Sequence, residues 1–266
     1  MQAKAWLFEA AMEAGQVSAA EPGFIGIRKK MSPGSRLYLE ATTLLAICYL
    51  RQKNLEKASP FISEVLRSRN IRSESGRRHF LRQAVARFEE EGLLAALVEQ
   101  HQENLDAGEI QSLAAELVRT KNEDEIFSEI GRALPPESVA FLLKVDTMAK
   151  RGLSQKEALY LPGEAQILKK AELGRTTFRS VKRVLWNSLC NPESDIYKAW
   201  FSSGINCVLD RKYLGAAIAA SLLHVGIGVK ALAISFAALV MKFGIEVYCD
   251  RYKPDFVMET RGLRPQ

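Results

Sequence analysis

Alternating runs of Val, Ile, Thr and aromatic residues, the mark of a strand with one buried face, are missing from this chain, which argues against a β-sheet architecture. Proline is scarce too: 9 prolines and 17 glycines in 266 residues leave few places where a helix must stop. The four cysteines, Cys48, Cys190, Cys207 and Cys249, lie far apart with no CxxC pair and no histidine to complete a zinc set, so a reduced, cytosolic setting is expected. The opening "MQAKAWLFEAAMEAG" has acidic residues and no long apolar core, so it is not expected to be a secretory signal. GxSxG, P-loop, HExxH and glycine-rich dinucleotide patterns are absent, and His79, His101 and His224 have no Cys or paired carboxylate nearby in sequence. The expectation is a non-enzymatic protein with no cofactor and no metal.

What is present is helix-forming. Leu, Ala, Glu, Lys and Arg dominate, and 47% hydrophobic with 26% charged residues is the balance of an ordered globular chain, expected to be all-α. The net charge of +6 points to an anionic partner, either nucleic acid or a phospholipid surface.

The first helix is expected over Ala3–Ala14. After it, "GQVSAAEPGFIGIRKKMSPGS" reads as a loop, because Pro22-Gly23 and Pro33-Gly34 break helices. In "SRLYLEATTLLAICYLRQKNLEKASPFISEVLRSR" apolar residues recur three and four apart on both sides of a short polar turn, which predicts an antiparallel helical hairpin. Leu45, Ala46, Tyr49 and Ala58 stand where the first helix of a tetratricopeptide repeat admits the second, and the hairpin resembles that family. It departs from the pattern at Lys53, where the family has a turn glycine, and at Pro60, inside the second helix. "FLRQAVARFEEEGLLAAL", with Phe88 and Gly92 in comparable places, is a weaker echo, so the resemblance covers roughly the first hundred residues and implies a protein partner bound by these helices. The "FEEEG" run reads as a solvated helix face, and the cations of Arg67–Arg82 as a loop that either is solvated or grips phosphates, solvation being the favoured reading.

Stops at Pro135-Pro136, Gly152 and Pro162-Gly163 mark a second helical layer. Three consecutive segments follow from this reading: residues 1–105 of repeat-like hairpins, 106–192 as a helical bundle with a basic helix, and 193–266 with the hydrophobic hairpin 213–249 and a basic tail. Within the second, "ILKKAELGRTTFRSVKRVLW" resembles the helix-turn-helix of DNA-binding proteins. That resemblance implies a turn at Gly174 and a contact face of Thr176, Thr177, Arg179, Lys182 and Arg183. Arg175, Arg179, Lys182 and Arg183 equally suit anionic headgroups beside a membrane.

The hairpin is the least polar stretch. A turn at Lys230 gives two helices of about 17 to 19 residues, near the roughly 20 that cross a bilayer core; a turn at Gly226 leaves the first too short. Leu214, Ile218 and Leu222 line the first helix and Leu232, Phe236, Leu239 and Phe243 the second, while Gly215/Ala219, Ala216/Ala220 and Ala233/Ala237 follow small-xxx-small spacing that permits close helix contact or a homo-oligomer. Trp200, Phe201, Tyr213, Tyr248, Tyr252 and Phe256 flank it as interfacial rings, and Arg211, Lys212, Arg251 and Lys253 place both ends on the cytoplasmic side of the inner membrane. Lys242 opposes this, at about 2.5 to 3.5 kcal/mol in lipid, with Glu246 one turn on to neutralise it.

The leading expectation is a membrane-associated helical protein whose N-terminal region binds another protein and controls a membrane-inserting hairpin. By architecture it looks like membrane-acting effectors of bacterial immune or toxin modules. The alternative is a soluble helical adaptor or DNA-binding regulator in which the hairpin is a buried core.

Overall fold

The structure, a computed structural model, describes residues 1–69, 71, 73–98, 103–201 and 213–253, with backbone alone at 200 and 201. Among the described residues there are fifteen helices and no strand, so the chain is all-α. In order they are α1 (Gln2–Glu13), α2 (Val17–Lys30), α3 (Arg36–Arg51), α4 (Leu55–Arg67), α5 (Glu74–Leu97), α6 (Ala107–Thr120), α7 (Glu123–Ala133) and α8 (Pro136–Lys150). There follow two single turns, α9 (Gln155–Ala158) and α10 (Glu164–Ile167), then α11 (Lys170–Leu189), α12 (Asp195–Phe201), α13 (Leu214–His224), α14 (Lys230–Phe243) and α15 (Ile245–Arg251). The chain divides into two compact units in place of three consecutive segments: Met1–Ala95 with Ala140–Gly163, and Ala96–Val139 with the described residues of Glu164–Pro254.

In the first unit the second half of α3 is apolar on every side. Seven successive residues, Leu44 to Leu50, are buried, as expected of a helix enclosed by others. The expected α3–α4 hairpin is present. Lys53 has φ +56°, so it holds the left-handed turn position where a glycine is usual, and Asn54 caps α4 by accepting from the Lys57 N–H at 3.0 Å. Pro60 lies inside α4 without ending it.

The loop expected before Ser35 is instead helix α2, running through Pro22. Its reason is packing: Ala20, Phe24 and Ile27 recur three and four apart and are buried, and Phe24 meets Phe8 of α1 edge-on at 6.0 Å. Gly23 is required there, since a Cβ would stand 2.4 Å from the Phe8 ring. The second repeat-like echo falls within the single helix α5, where Gly92 admits Val145 of α8.

The "FEEEG" run is not a solvated face either. The Glu91 side chain is fully buried and pairs with Arg51 at 2.8 Å and Arg87 at 3.0 Å, while Arg51 also reaches Glu13 at 2.9 Å and the Met12 carbonyl at 2.7 Å. Burial opposes the Arg51 charge, but Glu91 and Glu13 outweigh it and hold its pKa above the ordinary arginine value. This cluster ties α1, α3 and α5 together inside the unit.

In the second unit α7 and α11 cross with backbone in contact. A Cβ on Gly131 would lie 2.0 Å from the Lys170 carbonyl oxygen, and one on Gly174 would lie 1.8 Å from that of Phe127. Asn122 and Glu125 close a capping box at the start of α7. The core above the crossing is aromatic: Phe178 lies 5.3 to 6.4 Å from the rings of Phe127, Phe236, Phe243, Tyr248 and Tyr252.

Candidate functional site

The apolar hairpin α13–α14 is the part of the chain from which function was expected. The turn between its helices runs over residues 225–229, with Gly226 at φ +79°, so the first helix closes at His224 and not near Lys230. With 11 and 14 residues the helices are about 17 and about 21 Å long, against a hydrocarbon core of about 30 Å. No single helix among the described residues is long and apolar enough to cross a membrane. Only α14 and α15 taken together reach that length and composition, and they are bent by 92° at Gly244.

Leu214, Ile218 and Leu222 of α13 and Leu232, Phe236 and Leu239 of α14 are all buried, at 0 to 2% exposure, within the second unit. Helix α14 packs on α6, α7 and α13, while α13 also meets α6 and α11. Phe243 is half-buried against Phe178 and Tyr252. The small residue Gly215 serves this packing: its N–H donates to Gln111 Oε1 at 2.8 Å, and a Cβ would stand 2.9 Å from the Gln111 nitrogen.

Lys242, the residue hardest to place in lipid, has a structural partner. Its Nζ donates to the Lys121 carbonyl at 2.6 Å and to that of Val118 at 3.4 Å, so an ammonium sits on the unsatisfied carbonyl end of α6. Glu246, the expected neutralising partner, is exposed. At the other end of the hairpin the Lys230 N–H donates to Glu103 at 2.7 Å, and its ammonium pairs with Glu109 at the start of α6.

Of the rings expected at a bilayer interface, one is a core residue and a second is half-buried. Tyr248 is fully buried, donating its hydroxyl to the Lys182 carbonyl at 2.8 Å, with burial holding its pKa above the usual phenol range; Tyr252 joins the Phe178 cluster. Tyr213 remains 44% exposed. Arg211, Lys212 and Phe256, the side chains of Trp200 and Phe201, and also His101 and Cys207, lie outside the described residues.

The cysteines are not all unpaired as expected. Cys190, at the end of α11, and Cys249, in α15, form a disulfide across 59 residues, and Trp186 Nε1 donates to the Cys249 carbonyl at 2.7 Å beside it. Nothing in the spacing singles out this pair. Cys48 is buried in the first unit, where burial pushes its thiol up to about 12.

The helix-turn-helix expectation is overturned by helix α11, which passes through Gly174 without a turn. Gly174 is small because the Phe127 carbonyl lies against it. The proposed contact face is mostly interior: Thr176, Thr177 and Arg183 are buried, and Lys182 is half-buried. Arg179 donates to Thr176 Oγ1 at 3.1 Å, while Arg175 pairs with Asp124 at 2.6 Å and Glu172 at 2.5 Å and lies over the Phe127 ring. The four cations therefore lie along a packed helix of the second unit.

An open depression is lined by Asn122, Glu123, Asp124, Glu125, Ser128 and Lys242. Most of its polar groups are engaged structurally, in the capping box, in the Asp124–Arg175 pair, in the bond from Ser128 to the Asp124 carbonyl and in the carbonyl contacts of Lys242. The described residues contain no group of three or more His, Cys, Asp or Glu placed to hold a metal. Compared with protein-family models, curated proteins and solved structures, the chain matches none of them.

Proposed function

We propose that the protein is a non-enzymatic helical adaptor that binds a protein partner through the outer face of α1, with the hairpin serving as the core of the second unit. One observation carries this reading. Helix α1 is seated by Ala5, Glu9 and Met12, yet its opposite side exposes Trp6 at 50% and Leu7 at 66%, with Ala3, Ala10 and Ala14 along the same side. Large apolar side chains clustered on an exposed helix face mark an interaction surface more often than a lone one does.

The test is photocrosslinking in cells from a reactive group placed at position 7, with Glu56, exposed on α4, as the control position. A discrete adduct with another protein from position 7 alone supports the reading; the same pattern from both positions rejects it.

A second reading, the membrane effector on the cytoplasmic side of the inner membrane, is favoured by one specific observation. Helices α13 and α14 are apolar almost all round, and α14 with α15 has the length and composition of a span if straightened. It requires the hairpin to leave its cradle, giving up the Lys242 contacts with α6 and the link between Cys190 and Cys249. Carbonate-resistant membrane association of the intact chain, lost when Leu214–Val247 is deleted, would favour it.

A further inference from the structure

The first unit carries a surface that neither reading uses. The Arg67–Arg82 segment and the stretch from the end of α8 through α9 to Leu161 are far apart in sequence, and the fold joins them. Arg67 donates to the Gly152 carbonyl at 3.3 Å, Arg77 pairs with Glu157 at 2.8 Å, Arg82 donates to the Tyr160 carbonyl at 2.8 Å, and the Arg78 guanidinium lies 5.9 Å from the centre of the Tyr160 ring. Arg67, Arg69, Arg78, Arg82 and Arg151 are all exposed and form no ion pair among the described residues. Where Arg67 and Arg82 do bond, the acceptor is a neutral carbonyl, so their charge is undiminished.

Beside Tyr160, which Arg78 and Arg82 contact, stands Leu159, the most exposed large hydrophobic residue described, at 81%. It is held there by its neighbours. The N–H groups of residues 159, 160 and 161 donate back to Gln155, Glu157 and Ala158, Leu161 is buried behind it, and the Tyr160 hydroxyl donates to Glu74 at 2.8 Å. The loop is therefore anchored, with one leucine pushed out next to the tyrosine that Arg78 and Arg82 contact.

We infer that the Leu159 loop and its arginine collar form a docking surface for an anionic phospholipid bilayer. Leu159 enters the boundary between headgroups and acyl chains, while Arg67, Arg69, Arg78, Arg82 and Arg151 meet the headgroup phosphates. The side-chain chemistry favours lipid over nucleic acid. A leucine offers neither a flat face for stacking nor a hydrogen bond to a base edge, and Tyr160, the ring beside it, already has its hydroxyl on Glu74 and Arg78 over its ring.

Flotation of the full-length protein tests this with vesicles of phosphatidylcholine alone or mixed with phosphatidylserine, and with duplex DNA as a competing ligand. The expected result is retention by the phosphatidylserine vesicles only, weakening as salt is raised. Arg78→Gln with Arg151→Gln should lower the apparent affinity by about tenfold or more, given the contribution of each basic residue near an anionic surface. Leu159→Ser should also release the protein. These side chains are exposed, so circular dichroism should show each variant folded, and none of them lies on α1. Binding to both vesicle types alike, binding that survives either substitution, or binding to DNA in preference to vesicles overturns the inference.

Discussion

A single ammonium decides how the hairpin is to be read. Lys242 in lipid is a liability of about 2.5 to 3.5 kcal/mol, whereas on the carbonyl end of α6 it is stabilising by about 1 kcal/mol, so the same residue argues oppositely in the two environments. Lys242→Met should therefore lower the thermal midpoint, by an amount equivalent to about 1 kcal/mol, with no gain in membrane association. A gain would favour the inserting hairpin instead. Cys48 supplies a pH-dependent case. Its thiol is raised by burial from the ordinary value near 9 to about 12, so the unfolded chain ionises first as pH rises. The contribution is fully present below pH 9 and is lost between about 9 and about 12, at no more than about 1.4 kcal/mol per pH unit. Denaturant midpoints measured across that range should fall more steeply for the native chain than for Cys48→Ala. Neither residue's role was legible in sequence: the partners of Lys242 lie more than a hundred residues away, and a cysteine carries no mark of its own burial.

At the scale of elements, three- and four-residue apolar spacing was enough to read the α3–α4 hairpin, and glycine was where that reading failed. Gly23 and Gly174 looked like breaks because glycine lowers helix propensity, but each sits inside a helix where another chain segment approaches too closely for a side chain. Gly226, by contrast, does make a turn, with φ +79°, and it shortens the hairpin's first helix. Glycine alone does not distinguish the three cases. What differs is the tertiary neighbour, which no window of sequence contains. Gly174→Ala places a methyl group 1.8 Å from the Phe127 carbonyl oxygen and must force α7 and α11 apart, so a loss of about 3 kcal/mol in unfolding free energy is expected. Gly26→Ala, also within a helix but with nothing within 4 Å of the added carbon, should stabilise by about 0.5 to 1 kcal/mol. Urea denaturation of the two variants checks both signs, and equal effects would show that the crossing is looser than its geometry implies.

For the whole molecule, the question is whether the second unit opens. Its hairpin is enclosed by α6, α7 and α11, and the disulfide between Cys190 and Cys249 ties α15 to the end of α11 on the same unit. In the chain-entropy account, a cross-link closing a loop of 59 residues disfavours the unfolded state by about 4 kcal/mol. Reduction, or Cys190→Ala with Cys249→Ala, should accordingly lower the melting temperature of the second unit while leaving the Trp6 and Leu7 face of the first as it was. Calorimetry before and after reduction would register this as a transition moved to lower temperature. The two functional readings then part company. If the hairpin is a core, the reduced protein is less stable yet is released from vesicles by Leu159→Ser just as the oxidised protein is, because its lipid contact belongs to the other unit. If the hairpin is held in reserve for a membrane, removing the tie that restrains α15 promotes insertion, and the reduced Leu159→Ser variant is retained on vesicles where the oxidised one is not. The enclosed leucines and the capped lysine favour the first outcome.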